Sequence, residues 1–148
     1  MALIHVAADI ATLVKEQKSE TAAYILNYHI TFRTKRNRRL LKGDIASECR
    51  EVIRSVADRN NYKILAAAIM PDHVHLVIAL TPSDRVSEAV RNIKGNTAKS
   101  LRDKYPNLRN IDRSLWSEGY YVESVGLKNV KQVLNYVSRQ DEHHEYAD

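Results

Sequence analysis

Two histidines, His73 and His75, stand two residues apart in an apolar segment, residues 70–78, that reads MPDHVHLVI. Side chains at i and i+2 of a β-strand point to the same face of a sheet, so a strand here places both imidazoles side by side. Two neighbouring imidazole lone pairs make half of a metal site. The same pair would also suit a sheet face on which each histidine simply satisfies a hydrogen bond, and the spacing leaves both interpretations open.

A tyrosine and a glutamine near the C-terminus, Tyr136 and Gln140, are four residues apart and therefore neighbours on the surface of a helix. The buried stripe of that helix is predicted to consist of Val130, Val133, Leu134 and Val137. Tyr136 and Gln140 lie to one side of the stripe, within reach of the rim of a sheet. Tyr136 could act there as a nucleophile, or could be an ordinary boundary tyrosine with a packed ring and a hydrated hydroxyl.

Basic side chains are concentrated in two stretches of a chain whose net charge is +5. The first stretch, residues 33–42, contains no acidic residue and six basic ones: Arg33, Lys35, Arg36, Arg38, Arg39 and Lys42. The second contains Arg91, Lys94, Lys99, Arg102 and Lys104, with Asn92 and Asn96 as candidate readers of base edges. Such runs neutralise phosphates and favour a nucleic-acid partner, although each residue also suits a solvated helix face or loop.

Hydrophobic periodicity predicts the elements that must position these residues. Strands are expected over residues 24–32, 64–70, 73–80 and 120–125, and helices over residues 44–60, from Ser83 or Asp84 to about 105, and 128–143. The resulting order is that of an α+β, ferredoxin-like βαββαβ sheet, as in RNA-recognition domains, with helices on one face and an added C-terminal helix. Residues 2–20 are predicted to form a helix, which gives an N-terminal helical extension over 1–22 and a catalytic domain over 23–148.

Composition sets further limits on a chain of 148 residues, which is long enough for one domain with a single core. Cys49 is the sole cysteine, which excludes an internal disulfide and a multi-cysteine zinc site and favours a reducing, cytoplasmic compartment. No run approaches the roughly 18 apolar residues of a membrane span. The first 15 residues lack the features of a signal peptide.

Taken together, His73-Val74-His75, Tyr136 and Gln140 resemble the single-tyrosine HUH transposases of small bacterial and archaeal insertion sequences. The segments MPDHVHLVI (70–78), LWSEGYYVESV (115–125) and YHITFRTKRNRRLL (28–41) are also similar to that family. The resemblance covers roughly residues 24–140.

The resemblance implies an enzyme that cleaves and rejoins single-stranded DNA at hairpins near the ends of a mobile element. It implies that Tyr136 attacks the phosphorus to form a 5′-phosphotyrosine, and that His73, His75 and Gln140 hold a divalent ion, Mg or Mn. It further implies a homodimer in which the helix carrying the tyrosine can complete the partner's site. DNA contacts are expected from Arg33, Lys35, Arg36, Arg38, Arg39, Lys94 and Asn96.

Three other functions are compatible with the same sequence. A non-catalytic nucleic-acid-binding domain would share the fold, but would carry aromatic residues where His73 and His75 stand. An HUH nuclease of plasmid replication or transfer would usually be larger, and a domesticated relative would keep the same site. Trp116, Tyr120 and Tyr121 are candidates for stacking on unpaired bases, although strand alternation predicts that at least one of the two tyrosines belongs to the core.

Overall fold

An antiparallel sheet of five strands forms the centre of the fold. The structure is a computed structural model that describes residues 3–5, 17–19, 21–126 and 129–147, without the side chains of 3–5 and 141–147. Its strands are β1 (Leu3–His5), β4 (Asn27–Arg33), β5 (Lys63–Ile69), β6 (His73–Ala79) and β7 (Tyr121–Val125), in the spatial order β1-β5-β6-β4-β7. A separate hairpin pairs β2 (Gln17–Lys18) with β3 (Ala23–Tyr24). The helices within the described residues are α1 (Gly43–Asn60), α2 (Val86–Lys104) and α3 (Val130–Ala147).

The connectivity from β4 to β7 is strand, helix, two strands, helix, strand, with β4 and β6 adjacent in the middle of the sheet. This is the ferredoxin-like arrangement, and the predicted fold class is confirmed. From residue 24 onward, the predicted strands and helices agree with the observed ones to within about three residues, apart from the C-terminal end of α3. That helix extends to Ala147 rather than ending near residue 143.

The main hydrophobic core lies between one face of the sheet and the helices α1 and α2. Alternate residues of the two central strands, such as Ile30 in β4 and Leu76 in β6, are fully buried there. Ile53 of α1 and Ile93 of α2 cover them. Because side chains alternate along a strand, the residues between these core positions must point to the opposite face of the sheet.

Helix α3 packs on that opposite face, mainly against β5 and β6. Its residues Leu134 and Val137 are buried against the small side chains Ala66 and Ala68 of β5. A register shift in β5 between Ile64 and Ala66 marks a bulge. Alanines on this face let the helix approach the sheet closely, which brings the remainder of α3 over the polar residues of the central strands.

The helix predicted over residues 2–20 is wrong at the positions that the structure describes. Leu3–His5 is a strand that pairs antiparallel with β5, in a register that sets Leu3 opposite Ala68, and Gln17–Lys18 is also a strand. Residues 6–16 and 20 lie outside the described residues. The free edge of β5 offers unpaired N–H and C=O groups, and pairing with them outweighs the local helical pattern. The domain boundary after residue 22 stays a prediction.

The start of α2 also differs from the prediction. The Asp84 carboxylate accepts hydrogen bonds from the backbone N–H and the hydroxyl of Thr81, at 2.9 and 3.0 Å. It therefore closes the turn before the helix, and neither Ser83 nor Asp84 is the N-cap. The helix begins after Arg85, which makes no side-chain capping bond. Within the described residues, no helix has both the length and the apolar character of a membrane span.

Candidate active site

The two histidines of the MPDHVHLVI segment lie on β6, on the sheet face that α3 covers. Val74 and Leu76 point to the core under α1 and α2, whereas Val77 packs with α3. By strand alternation His73 and His75 share the face of Val77, and their ring centroids are 4.9 Å apart. The predicted side-by-side arrangement of the two imidazoles is therefore observed.

His73 is held by the residue that precedes it. Its Nδ1 lies 2.6 Å from Oδ1 of Asp72, which has the geometry of a short, charge-assisted hydrogen bond. The carboxylate accepts the Nδ1–H proton, so the other ring nitrogen, Nε2, keeps its lone pair. A carboxylate behind a histidine is the usual way in which a ligating imidazole is oriented.

His75 is buried and is held by two side chains of the adjacent strand β4. Its Nδ1 lies 3.1 Å from Oγ1 of Thr31 and 3.1 Å from Nε2 of His29. Burial, and after it the charge of the neighbouring His73, lowers the pKa of His75 to about 3. The ring is thus neutral at physiological pH and can offer a lone pair.

Tyr136 of α3 lies over this pair of strands with its ring edge-on to the histidines. Its ring centroid is 5.9 Å from that of His75 and 6.3 Å from that of His29. The tyrosine is 49% exposed, so its hydroxyl is accessible to a substrate. The helix positions it there because Val137, the next residue, is fully buried against the sheet.

A cleft of about 610 Å³ opens beside these residues. It is lined by His29, Thr31, Phe32, Arg33, His75, Ser117, Glu118, Gly119, Tyr120, Tyr121 and Tyr136. The floor is the polar face of β4 and β6, and the wall is the segment that leads into β7. The cleft therefore joins the candidate nucleophile, a lone-pair donor and a cationic side chain in one open space.

Two residues of the site, His29 and Glu123, were not predicted from the sequence. Nδ1 of His29 lies 3.4 Å from Oε1 of Glu123, and these residues are directly opposite each other in the pairing of β4 with β7. The sequence does place His29 at the centre of an apolar strand, where a polar side chain needs a buried hydrogen-bond partner, and this position could have marked it as a site residue. Its partner could not be identified without the register of the sheet.

The donor set fits a hard or borderline divalent ion. Nδ1 of His73 and Nδ1 of His75 each lie within hydrogen-bond distance of a protein group, so Nε2 is the nitrogen of each ring that remains for an ion. Among the described residues, no group of three or more His, Cys, Asp or Glu side chains is arranged to hold a metal ion. Gln140, half-buried one turn beyond Tyr136, carries an amide oxygen that could serve as a third ligand.

Comparison with known proteins identifies the family. The sequence pattern described as "Transposase IS200 like" matches residues 22–140. The chain belongs to the IS200-like transposases. Membership implies a DNA-cleaving enzyme that acts in transposition.

Curated relatives agree with this assignment of the IS200-like transposase. The ISDra2 transposase TnpA of Deinococcus radiodurans is 28% identical over 126 residues, which cover 84% of this chain and 90% of that protein. The transposase for insertion sequence element IS200 of Salmonella typhimurium is 30% identical over 115 residues, covering 76% of this chain and 75% of that protein.

Solved structures show the same fold. A candidate transposase from Deinococcus radiodurans R1 superposes with a TM-score of 0.71 at 28% identity, covering 84% of this chain and 97% of that chain. A REP-associated tyrosine transposase bound to a REP hairpin gives a TM-score of 0.61 at 20% identity, covering 86% of this chain and 74% of that chain.

The first basic stretch of the IS200-like transposase divides into two parts. Arg33 is exposed at the end of β4 and lines the cleft. Arg36 and Arg38 instead face Asp112, with Nε of Arg38 2.7 Å and Nε of Arg36 3.6 Å from its carboxylate. Arg38 in particular is engaged in a structural ion pair. Lys35 and Arg36 line a second groove, of about 770 Å³. Arg39 is exposed but lines neither the cleft nor this groove.

The second basic stretch is largely occupied by contacts within the protein. Nζ of Lys94 donates to the carbonyl oxygens of Ser117 and Gly119, each at 2.8 Å, and thereby supports the wall of the cleft. Asn96 donates to the carbonyl of Asn92 and lines a groove between α1 and α2, which lies on the far side of the sheet from the histidines. The structure therefore brings Lys94 to the cleft wall and does not bring Asn96 to the cleft.

The three aromatic candidates for base stacking also differ from one another. Trp116 is buried, packs edge-on against Phe32 at 4.7 Å, and donates Nε1–H to Oγ1 of Thr97 at 3.0 Å. It is a core residue. Tyr120 and Tyr121 are both exposed, at 40% and 56%, and both line the cleft. The prediction that one of these two tyrosines belongs to the core is wrong, because the chain runs along the edge of the sheet there.

Proposed function

We propose that this IS200-like transposase cleaves and rejoins single-stranded DNA at the ends of an insertion sequence, with the hydroxyl of Tyr136 as nucleophile. The observation that carries the proposal is the edge-on contact of Tyr136 with His75 across the cleft. A half-exposed phenol beside a neutral imidazole and a cationic Arg33 is suited to attack on a phosphodiester. A boundary tyrosine without such a function needs none of these neighbours.

The chemistry consists of two transesterifications. The Tyr136 oxygen bonds to phosphorus while the bond from phosphorus to the 3′ oxygen breaks, which gives a 5′-phosphotyrosine and a free 3′-hydroxyl. The phenolic proton balances the alkoxide that leaves. Rejoining reverses these steps with a 3′-hydroxyl as nucleophile, and the covalent link conserves the bond energy, so no nucleotide cofactor is required.

We assign His73, His75 and the amide of Gln140 as the residues that would hold Mg²⁺ or Mn²⁺. The ion, when bound, would polarise the scissile phosphate and stabilise the charge that develops on it. The protein contributes the orientation of its donors, through Asp72 behind His73 and through Thr31 and His29 behind His75. Mixed nitrogen and oxygen ligands leave coordination positions open for phosphate oxygens and water.

The DNA is proposed to enter along the cleft as an unpaired strand that follows a hairpin. Arg33 would neutralise a phosphate close to the nucleophile, and Tyr120 and Tyr121 offer exposed rings for stacking. Lys35 and Arg36 lie in the groove next to the cleft, since Glu118 lines both cavities. Binding would then weaken steeply with salt. The REP hairpin held by a protein of the same fold supports a hairpin substrate.

A homodimer is proposed from the family resemblance, with a tyrosine helix that can pass between subunits. Tyr136 lies beside the His75 of its own chain, with ring centroids 5.9 Å apart, so a site assembled in cis is the alternative to the exchange. Mixing inactive Tyr136→Phe with inactive His75→Ala tests the exchange. Restored cleavage in the mixture would require a tyrosine from one subunit to act with the histidines of the other, whereas continued inactivity would restrict cleavage to sites assembled in cis.

The nucleophile is tested by incubating labelled single-stranded hairpin DNA with Mn²⁺, with Mg²⁺ and with chelator. A covalent protein–DNA band on a denaturing gel is expected with either metal, and it should be absent from Tyr136→Phe. Tyr120→Phe is the matched control, because this tyrosine is similarly exposed in the same cleft. A band that persists in Tyr136→Phe, or one that requires no metal, would contradict the proposal. DNA retention without any covalent band would favour a binding module.

A further inference from the structure

A row of polar side chains crosses three strands of the sheet and ends at His75. The Tyr121 hydroxyl donates to Oε2 of Glu123 at 3.1 Å, Oε1 of Glu123 lies 3.4 Å from Nδ1 of His29, and Nε2 of His29 lies 3.1 Å from Nδ1 of His75. The register of the sheet produces this row, since His29 is opposite Glu123 and Thr31 is opposite both His75 and Tyr121.

The direction of the hydrogen bonds from Glu123 to His75 follows from the chemistry of the Glu123 carboxylate. The Glu123 carboxylate can only accept, so the nitrogen of His29 that faces it, Nδ1, must carry a proton. A neutral His29 then has a bare Nε2, which can only accept. With His29 in this neutral form, the proton between the two imidazoles belongs to Nδ1 of His75, and Oγ1 of Thr31 can accept from the same N–H.

We propose that Glu123 and His29 are positioning residues that fix His75 as its Nδ1–H tautomer, so that its Nε2 lone pair is presented to the cleft for a divalent ion. The ion itself rests on the proposed function above, whereas the tautomer does not. Each ligand histidine would then have a carboxylate behind it: Asp72 acts directly on His73, and Glu123 acts on His75 through the imidazole of His29.

The two histidines of this row are buried, which makes their hydrogen bond to each other costly to replace. His29 is 7% exposed and His75 is 8% exposed, so neither ring can exchange its protein partner for bulk water at low cost. The ring of His29 also packs against Tyr136, with centroids 6.3 Å apart. Loss of His29 would therefore leave His75 without its imidazole acceptor, directly beside the candidate nucleophile.

The tautomer is measured by long-range ¹H–¹⁵N correlation spectra of the metal-free, full-length protein labelled at histidine. Wild-type His75 is expected to show the protonated nitrogen at Nδ1. In His29→Leu and in Glu123→Leu this preference should be reduced. Because His29 is buried and its removal can disturb folding, Glu123→Leu, at a half-exposed position, decides the outcome if the other variant does not fold. A wild-type His75 protonated at Nε2, or a tautomer unchanged in Glu123→Leu, would overturn the proposal.

Metal affinity provides the second measurement, by electron paramagnetic resonance titration of the same proteins with Mn²⁺ alone. Removal of outer partners of a ligand histidine is expected to weaken binding by about 10–100-fold in His29→Leu and Glu123→Leu. Glu123→Gln should retain most of the affinity, because its amide oxygen still accepts from His29. Glu51→Leu on α1 is the control and should bind as wild type does. Equal affinity in wild type and Glu123→Leu would overturn the role of Glu123 in metal binding. Absence of Mn²⁺ binding in wild type would instead contradict the metal in the proposed function. The tautomer of His75 is decided separately by the spectra.

Discussion

Asp72 and His73 are adjacent in the chain, and the carboxylate of the first holds Nδ1 of the second at 2.6 Å, at the turn where β5 passes into β6. The same turn is fixed by the backbone carbonyl of Asp72, which accepts from the N–H and the hydroxyl of Thr34. The orientation of His73 is therefore set by the short turn between β5 and β6, and it does not depend on α3 or on the loop before β7.

Asp72→Ala should weaken Mn²⁺ binding by about tenfold or more, because His73 loses the acceptor that fixes its ring and tautomer. The backbone contacts of residue 72 to Thr34 should remain, so the melting temperature should change little. Calorimetric titration with Mn²⁺ measures the effect. Asp58→Ala, at an exposed position of α1, is the control. Unchanged affinity in Asp72→Ala would show that His73 is not a ligand or needs no support.

Lys94→Met should impair cleavage and lower stability, because the amine of Lys94 joins α2 to the wall of the cleft through Ser117 and Gly119. Burial lowers the pKa of Lys94, yet its three donors make it a suitable partner for two carbonyls. A loss of about 1–3 kcal/mol is expected in chemical denaturation. Lys99→Met, which removes an exposed i,i+4 pair with Asp103, should be nearly neutral. Equal effects of the two substitutions would contradict a specific role for Lys94.

The ion pair of Arg38 with Asp112 predicts a pH dependence of stability. The hydrogen bond from Arg38 lowers the pKa of Asp112 below its usual value of 3.8. The folded carboxyl thus holds its proton less tightly than the unfolded one, so its stabilisation is present above about pH 4 and is lost as the pH falls through the lowered pKa. Melting temperatures of wild type and Asp112→Asn should differ at pH 6, and the difference should shrink as the pH falls below 3.8. A difference that is constant over this range would contradict the assignment.

Cys49 should be unreactive in the folded protein. It is fully buried in α1, and burial raises the pKa of its thiol from 9.0 to about 12. The folded thiol keeps its proton longer than the unfolded one, so this contribution to stability is present below pH 9 and is lost as the pH rises toward 12. A thiol reagent at pH 8 should modify the denatured chain rapidly and the native chain only at the rate of unfolding. Rapid native modification would show that α1 opens locally.

Local patterns carry most of the information about the fold. Alternation identified β4, β6 and β7, and apolar stripes identified all three described helices, because these elements each bury one face and their periods differ. The same period of two placed His73 and His75 on one face. The strand β1 was missed since three residues are too few to show a period, and its pairing with β5 is a tertiary effect.

The candidate site was only partly predictable for a related reason. His29 and Glu123 come from strands that are distant in the chain, and only the sheet register sets them opposite each other. Asp112 likewise engages Arg38 from a distant loop, so a stretch without local acidic residues is nevertheless paired. Trp116 is an aromatic residue in a polar loop, and it is buried against Phe32 of β4 and hydrogen-bonded to Thr97 of α2. Spacing along the chain contains none of these relationships.

The central claim is that Tyr136 forms the covalent bond to DNA, and mass spectrometry of the trapped adduct tests it most directly. Wild-type protein would be incubated with a single-stranded hairpin substrate and Mn²⁺, digested with protease and nuclease, and its peptides fragmented. The account predicts a 5′-phosphonucleotide on Tyr136, in the peptide that contains Val137. A phosphonucleotide on Tyr120, Tyr121 or any other residue would contradict it.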